Sequence, residues 1–315
     1  MLSNTSMYID CLWTQIEQFD ISYWKWVLWV VYPVIISFLL PFIIIIFVYA
    51  STLFLFVYRQ RHRLRDAYAR DFWDGARKTI SVFWDCQGRI WHGYEVVHME
   101  RLPMVGPAMI IYYHAVIPID VYYIVARTLV ERGRHIKCVG DRFLFNIPGW
   151  RLLMEVFQVT PGTVQSCIDV LNEGNILCIS PGGVREALFS DESYKLMWGK
   201  RTGFAKVALQ ANVPVIPMFT QNCREVFRTP GWGRSLLRKF YEKTRLPIVP
   251  IYGFFPVKLR SFLGEPIYPE SGMTAEQFSI KVKKSVESLI ECHQQIPGNI
   301  LGALVERFYP KLKSN

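Results

Sequence analysis

Residues 108–120 read Ala108-Met-Ile-Ile-Tyr-Tyr-His114-Ala-Val-Ile-Pro-Ile-Asp120. A short apolar run follows the turn-rich Leu102-Pro-Met-Val-Gly-Pro107 and ends on a histidine, with a carboxylate six positions further on. Such a run, bounded by turn residues, reads as a buried strand. Strand ends are where α/β proteins carry their chemistry. An imidazole held by an aspartate takes a proton from a hydroxyl near neutral pH, and the carboxylate stabilises the imidazolium that forms. His114 and Asp120 are therefore a candidate catalytic pair. On the residues alone they fit a structural histidine and a helix-capping aspartate about equally well.

The chain on either side alternates strand and helix signals. Strands are expected at 94–98, 136–139, 175–179 and 213–219 and in segments ending at Ile251 and Leu263; helices are expected at 120–131, 148–157, 164–172 and 203–210. Thr274-Ala-Glu-Gln277 has the form of a capping box, and Phe278, Val282, Val286 and Leu289 then recur at helical spacing. This pattern predicts an α/β domain over 94–315, a mixed and largely buried sheet flanked by helices. Residues 59–93 read as basic juxtamembrane and connector helices.

Upstream, residues 26–58 contain no charged side chain. A straight helix of that length would measure about 50 Å, well beyond a hydrocarbon core of about 30 Å. It reads as a retained membrane anchor, because a cleaved signal peptide has a basic start and a much shorter apolar middle. Pro33 and Pro41 offer break points, so two arrangements arise: one long tilted span, or a hairpin of two short halves, which is slightly favoured. Arg59, Arg61, Arg63 and Arg65 place the body on the cytosolic side. A single span would put residues 1–25, with the sequon Asn4-Thr5-Ser6, in the lumen.

Over its 315 residues the chain is 51% hydrophobic and 20% charged, with a mean hydropathy of +0.17, which argues against disorder. Residues 1–58 carry three acids and one base, a balance of −2, so the remainder carries +12 to give the chain's net charge of +10. No zinc-finger, RNP or basic-zipper pattern accompanies this charge, so a lipid bilayer is the expected partner and nucleic acid is not. The seven scattered cysteines lack C-x-x-C spacing and read as reduced thiols, and no metal-spaced histidine pair occurs. Between Arg224 and Arg245 basic residues interleave with aromatic and apolar ones. Arg234, Arg238, Lys239 and Lys243 there form either a membrane-surface patch or a plain solvated helix face.

A second motif, Ser180-Pro181-Gly182-Gly183-Val-Arg185-Glu186, follows the expected strand 175–179. Its glycines permit close backbone approach and point N–H groups at an anion or a developing oxyanion, while Arg185 and Glu186 supply fixed charge. Alone, it would also pass for an ordinary strand-to-helix turn. Ser180 lacks the G-x-S-x-G context of a hydrolase nucleophile.

His114 to Asp120, the Pro-Gly loop at 180–186 and Val213-Pro-Val-Ile-Pro217 occur in an order that resembles the glycerolipid acyltransferase family over roughly residues 90–270. The resemblance implies the acyltransferase fold and acyl transfer to a glycerolipid hydroxyl at the endoplasmic reticulum membrane. It implies no cofactor, and an acyl donor that is either acyl-CoA or a membrane phospholipid. Five residues separate His114 from Asp120 where the family pattern has four, so their contact requires a local bulge. Gly182 stands where phosphate-using members have glutamate, and Pro161-Gly162 stands where a further arginine is expected. The Pro-Gly-Gly with a downstream Glu is instead similar to the type-2 diacylglycerol acyltransferases. A neutral acylglycerol acceptor is therefore expected ahead of lysophosphatidate or another lysophospholipid, which Arg185 and the basic segment 224–245 keep open. A catalytically inactive lipid-binding scaffold is the remaining alternative.

Overall fold

The computed structural model describes residues 23–62 and 73–309. The Asn4 sequon, Arg63 and Arg65 lie outside the described residues. α1 (Tyr23–His62) is one continuous helix that runs through Pro33 and Pro41, so the favoured hairpin is not formed. Each proline forfeits one hydrogen bond, but its fixed φ is itself helical. From Pro41 onward the helix is also held from outside, because Pro41, Ile44, Val48, Ser51 and Leu55 recur every three to four residues and are buried against the body. Tyr49 OH donates to Pro148 O at 3.1 Å, and Phe47 meets Phe83 edge-on at 5.4 Å. Within α1, residues 25–56 are long and apolar enough to cross a membrane, by length and composition.

The body begins with α2 (Asp74–His92), which leads into β1 (Glu95–Val97) and β2 (Ala108–Tyr112). α3 (Ile119–Arg132), β3 (Ile136–Gly140), α4 (Trp150–Val156), β4 (Thr160–Pro161), α5 (Val164–Asn172) and β5 (Ile176–Ile179) follow. Then come α6 (Gly183–Phe189), α7 (Gly203–Ala211), β6 (Val215–Gln221), α8 (Cys223–Val226), β7 (Phe227–Arg228), α9 (Arg234–Thr244), β8 (Tyr252–Gly253), β9 (Arg260–Leu263), α10 (Ala275–His293) and α11 (Ile300–Phe308). Among the described residues one seven-stranded sheet runs β1-β9-β6-β2-β5-β3-β4, parallel except where β9 meets β6. β2 lies at its centre, with Ile111 opposite Ile179 of β5 and Tyr112 opposite Met218 of β6.

All five residues of β2 are buried, as a strand covered on both faces must be. Met109 and Ile111 point into a core shared with α5, α7 and α10, whereas Ala108, Ile110 and Tyr112 point into one shared with α3. The expected capping box is present: Gln277 N donates to Thr274 Oγ1 at 3.2 Å, and Thr274 N donates to Gln277 Oε1 at 2.9 Å. One expected strand is missing. Residues 246–251 are irregular, since Pro247 and Pro250 cannot donate to a ladder, and pairing begins only at Tyr252, in a ribbon with β7.

Candidate active site

His114 leaves the sheet two residues past the end of β2, and the Ser180–Gly183 turn leaves the adjacent β5 on the same edge. The junction between them is Glu186. His114 N donates to its Oε1 at 2.9 Å, and Met197 N donates to its Oε2 at 2.7 Å. The carboxylate thus ties the histidine main chain to α6 and to the loop after it. Burial pushes the Glu186 carboxyl up to about 7, opposed by those two N–H groups and by the charges of Arg224 and Arg201.

The imidazole is half-buried, and its Nδ1 lies 2.6 Å from Ala115 O. A carbonyl oxygen only accepts, so Nδ1 carries the proton and Nε2 keeps the lone pair. Loss of hydration holds the ring down to about 4, with the Arg224 charge acting in the same direction and the Ala115 carbonyl against it. His114 is consequently neutral at physiological pH.

Asp120 is not brought to His114: no hydrogen bond or ion pair joins the two side chains. The chain turns straight into α3, with Ile119 N donating to Ile117 O at 2.8 Å and Val121 N to Pro118 O at 3.0 Å. This turn sets Asp120 in the first turn of the helix beside Thr220, where its Oδ1 is buried without a partner. Burial raises its carboxyl to about 6, against the Thr220 hydroxyl and the N–H groups of Asp120 and Val121. The extra intervening residue is absorbed by starting the helix rather than by a bulge that would return the carboxylate to the ring.

In the second motif, Gly183 has φ +52°, and its N–H approaches Ser180 Oγ at 3.4 Å. A Cβ on Gly182 would lie 2.3 Å from Glu186 Cδ, so this glycine makes room for the carboxylate. Pro181 O and Gly182 O both accept from Arg201 Nη1 at 2.8 Å, which fixes the turn by its carbonyls. Arg185 points away, 3.5 Å from Glu242 on α9.

Sequence reasoning missed Arg201 and misplaced Arg224. Arg224 is buried, donating to the carbonyls of Ala187 at 3.3 Å, Glu186 at 3.4 Å and Ser190, which are the last acceptors of α6. It also reaches the hydroxyl of Tyr113, itself 2.7 Å from Ser190 Oγ. Arg228 is likewise spent, on Glu225 at 2.9 Å and Gly298 O at 2.8 Å. The basic stretch therefore divides, with its first two arginines structural and α9 at the surface. A polar recess of ≈ 220 Å³ lies elsewhere, over the end of β6, lined by Gln221, Asn222, His293, Gln294 and Glu306.

Comparisons to known proteins agree with this fold. A family model described as Acyltransferase matches residues 93–221, a range that takes in both motifs. The Bos taurus protein named "DGAT1/2-independent enzyme synthesizing storage lipids" is 49% identical over 306 residues, covering 96% of this chain and 91% of that protein. The Homo sapiens protein of the same name is 48% identical over 310 residues, covering 96% and 95%. In fold, the chain is similar to the crystal structure of the 1-acyl-sn-glycerophosphate (LPA) acyltransferase PlsC from Thermotoga maritima, with a TM-score of 0.50 at 16% identity over 77% of this chain and 95% of that one. With the sheet, the histidine turn and the Pro-Gly-Gly loop arranged as described, this chain belongs to the acyltransferase family, and within it to the glycerolipid type.

Proposed function

We propose that this chain transfers a fatty acyl group to the free hydroxyl of a neutral glycerolipid, diacylglycerol or monoacylglycerol, forming triacylglycerol and related storage lipids. The observation that carries the reading is the setting of His114, a neutral imidazole at the sheet edge with Nδ1 committed to Ala115 O and Nε2 free to accept. Nε2 takes the acceptor's hydroxyl proton as that oxygen attacks the donor carbonyl. Backbone N–H groups of the Gly182–Gly183 turn stabilise the tetrahedral oxyanion. Collapse breaks the bond to the leaving group, which receives the proton from His114. The bond made is an oxygen ester and the bond broken is the thioester of acyl-CoA or the ester of a phospholipid, and no covalent enzyme intermediate is required.

Two features support a neutral acceptor. Phosphate recognition favours a fixed arginine fork, yet Arg185 is directed at Glu242, and Pro161-Gly162 occupies the second expected arginine position. The relatives' names speak of storage lipids. We read α1 as the anchor in the endoplasmic reticulum membrane, with the basic run at its C-terminal end holding the body in the cytosol. Since α1 is continuous, the N-terminus lies across the membrane, and Asn4 should be glycosylated; a glycosidase-sensitive shift in apparent mass checks this.

The test uses the purified full chain in proteoliposomes, with labelled acyl-CoA or labelled phospholipid as donor and diacylglycerol, monoacylglycerol or lysophosphatidate as acceptor. Product with the neutral acceptors is expected, and His114→Ala should lower turnover by about 10³-fold, within the usual range for a general base. Product from lysophosphatidate alone would overturn the acceptor class. No product from any acceptor would overturn the enzyme reading.

A further inference from the structure

α9 presents a face that the catalytic machinery does not use. Trp232, just before it, and Leu236 expose 76% and 71% of their surface, and Phe240, Leu246 and Ile248 are exposed as well. Leu236 and Phe240 are four apart and share one stripe of the helix; Lys239 and Lys243 flank that stripe. Both lysines are exposed, and among the described residues no ion pair engages either. Arg234 and Arg238 behave differently. They are half-buried, at 3.6 Å from Asp191 and 3.1 Å from Glu242. The opposite face of α9 is packed, with Tyr241 buried against Leu188 and Phe189 of α6. An apolar centre edged by unpaired cations marks an interaction surface, and the charge selects for an anionic partner.

The position of the face selects a membrane. Beyond Ile248 the chain enters β8, where Tyr252 meets Phe38 of α1 at 5.7 Å between ring centroids. From Phe38 onward one side of α1 packs on the body through Pro41, Ile44 and Val48, while Phe42, Ile46 and Leu53 on the other side stay exposed, so the apolar surface of α1 runs alongside the body rather than ending above it. The rim of the body next to Phe38 therefore enters the interface together with α1, and the α9 segment continues that rim.

We infer that α9, with Trp232, Leu246 and Ile248, lies in the headgroup layer of an anionic phospholipid bilayer, its apolar stripe inserted and Lys239 and Lys243 set against lipid phosphates. This rests on α1 being the membrane anchor and names the lipid class that the body contacts. Tyr241 packs on Phe189 with the ring centroids 5.6 Å apart and the rings tilted by 50°, and Arg185 faces Glu242, so α6, the helix that carries Glu186, packs against the docked helix. The docked helix thus packs on the same helix whose Glu186 holds the main chain of His114.

Tryptophan quenching by lipids brominated on the upper acyl chain tests this in the full chain, reconstituted in phosphatidylcholine vesicles with and without phosphatidylserine. The contribution of Trp232 is read as the difference from Trp232→Phe. It should be quenched with phosphatidylserine present. Lys239→Gln with Lys243→Gln should shift docking by roughly fivefold per cation, and Leu236→Glu with Phe240→Glu should abolish it. All four side chains are exposed, and unchanged circular dichroism checks that the variants fold. Quenching of α1 tryptophans with Trp232 untouched would overturn the inference while leaving the anchor in place. Equal quenching of Trp232 in pure phosphatidylcholine would overturn the anionic preference. Absence of quenching at both sites would remove the anchor reading itself, and none of these outcomes depends on acyl transfer.

Discussion

Asp120 and Glu186 are both fully buried carboxylates near one edge of the sheet, and the fold treats them in opposite ways. Glu186 accepts a backbone N–H on each oxygen and thereby fixes the main chain of His114. Asp120 has an oxygen with no partner, sits beside Thr220 and makes no hydrogen bond to the ring. Burial raises both carboxyls, but only one of them organises the base. A carboxylate can prepare a catalytic histidine by holding its backbone, while a backbone carbonyl, here Ala115, sets the tautomer.

The largest effect that would break or confirm this contrast is expected at Glu186. Glu186→Ala orphans two N–H groups at about 1–3 kcal/mol each, so a loss of roughly 2–6 kcal/mol should appear in denaturant unfolding. Turnover should fall more than tenfold with KM little changed, because the alcohol still binds but the base is displaced. Glu186→Gln retains one acceptor and should recover part of both losses. Wild-type stability and turnover in Glu186→Ala would end the comparison. A smaller effect is expected one residue before the helix: Gly182→Ala drives a Cβ into the Glu186 side chain, an overpacking cost of about 1–3 kcal/mol. Gly183→Ala meets nothing nearer than Arg201 Nη1 at 3.5 Å. It bears only the strain of a left-handed residue, about 1–2 kcal/mol, and should unfold later in denaturant than Gly182→Ala.

Sequence periodicity found the sheet because β2, β5 and β6 are buried on both faces and are written as unbroken apolar runs. It also found the histidine and the Pro-Gly-Gly turn, which sit where strands end. It did not find the partner of the histidine, since spacing along the chain does not say which way the first turn of α3 faces, and Pro118 starts that helix in register with Thr220. Glu186 was visible as a charge, but its bond to an N–H 72 residues earlier depends on β2 and β5 being neighbours. Arg201 carries no local signal at all, being an exposed arginine whose role exists only through two carbonyls of a distant turn. The prolines of α1 misled for a related reason: the contacts that hold Pro41 in a straight helix come from β8, α2 and α4, far along the chain.

The smallest expected change in turnover sharpens the contrast most. Asp120→Asn removes a carboxyl whose folded-state value is raised from 3.8 to about 6. A raised carboxyl binds its proton more tightly in the native state, so its stabilising contribution is complete below about 4 and is lost as pH rises through about 6. The stability of wild type relative to Asp120→Asn should therefore decline over that window by on the order of 2–3 kcal/mol, read as the difference between the two proteins' unfolding free energies at pH 4, 6 and 8, a difference from which the titrations of Glu186 and His114 cancel. Turnover at pH 7 should change less than about tenfold, the cost of a repacked helix start and not of a lost base partner. Loss equal to that of His114→Ala would mean that the aspartate swings to the ring once substrate is bound, and Glu186 would then be a brace for the loop alone.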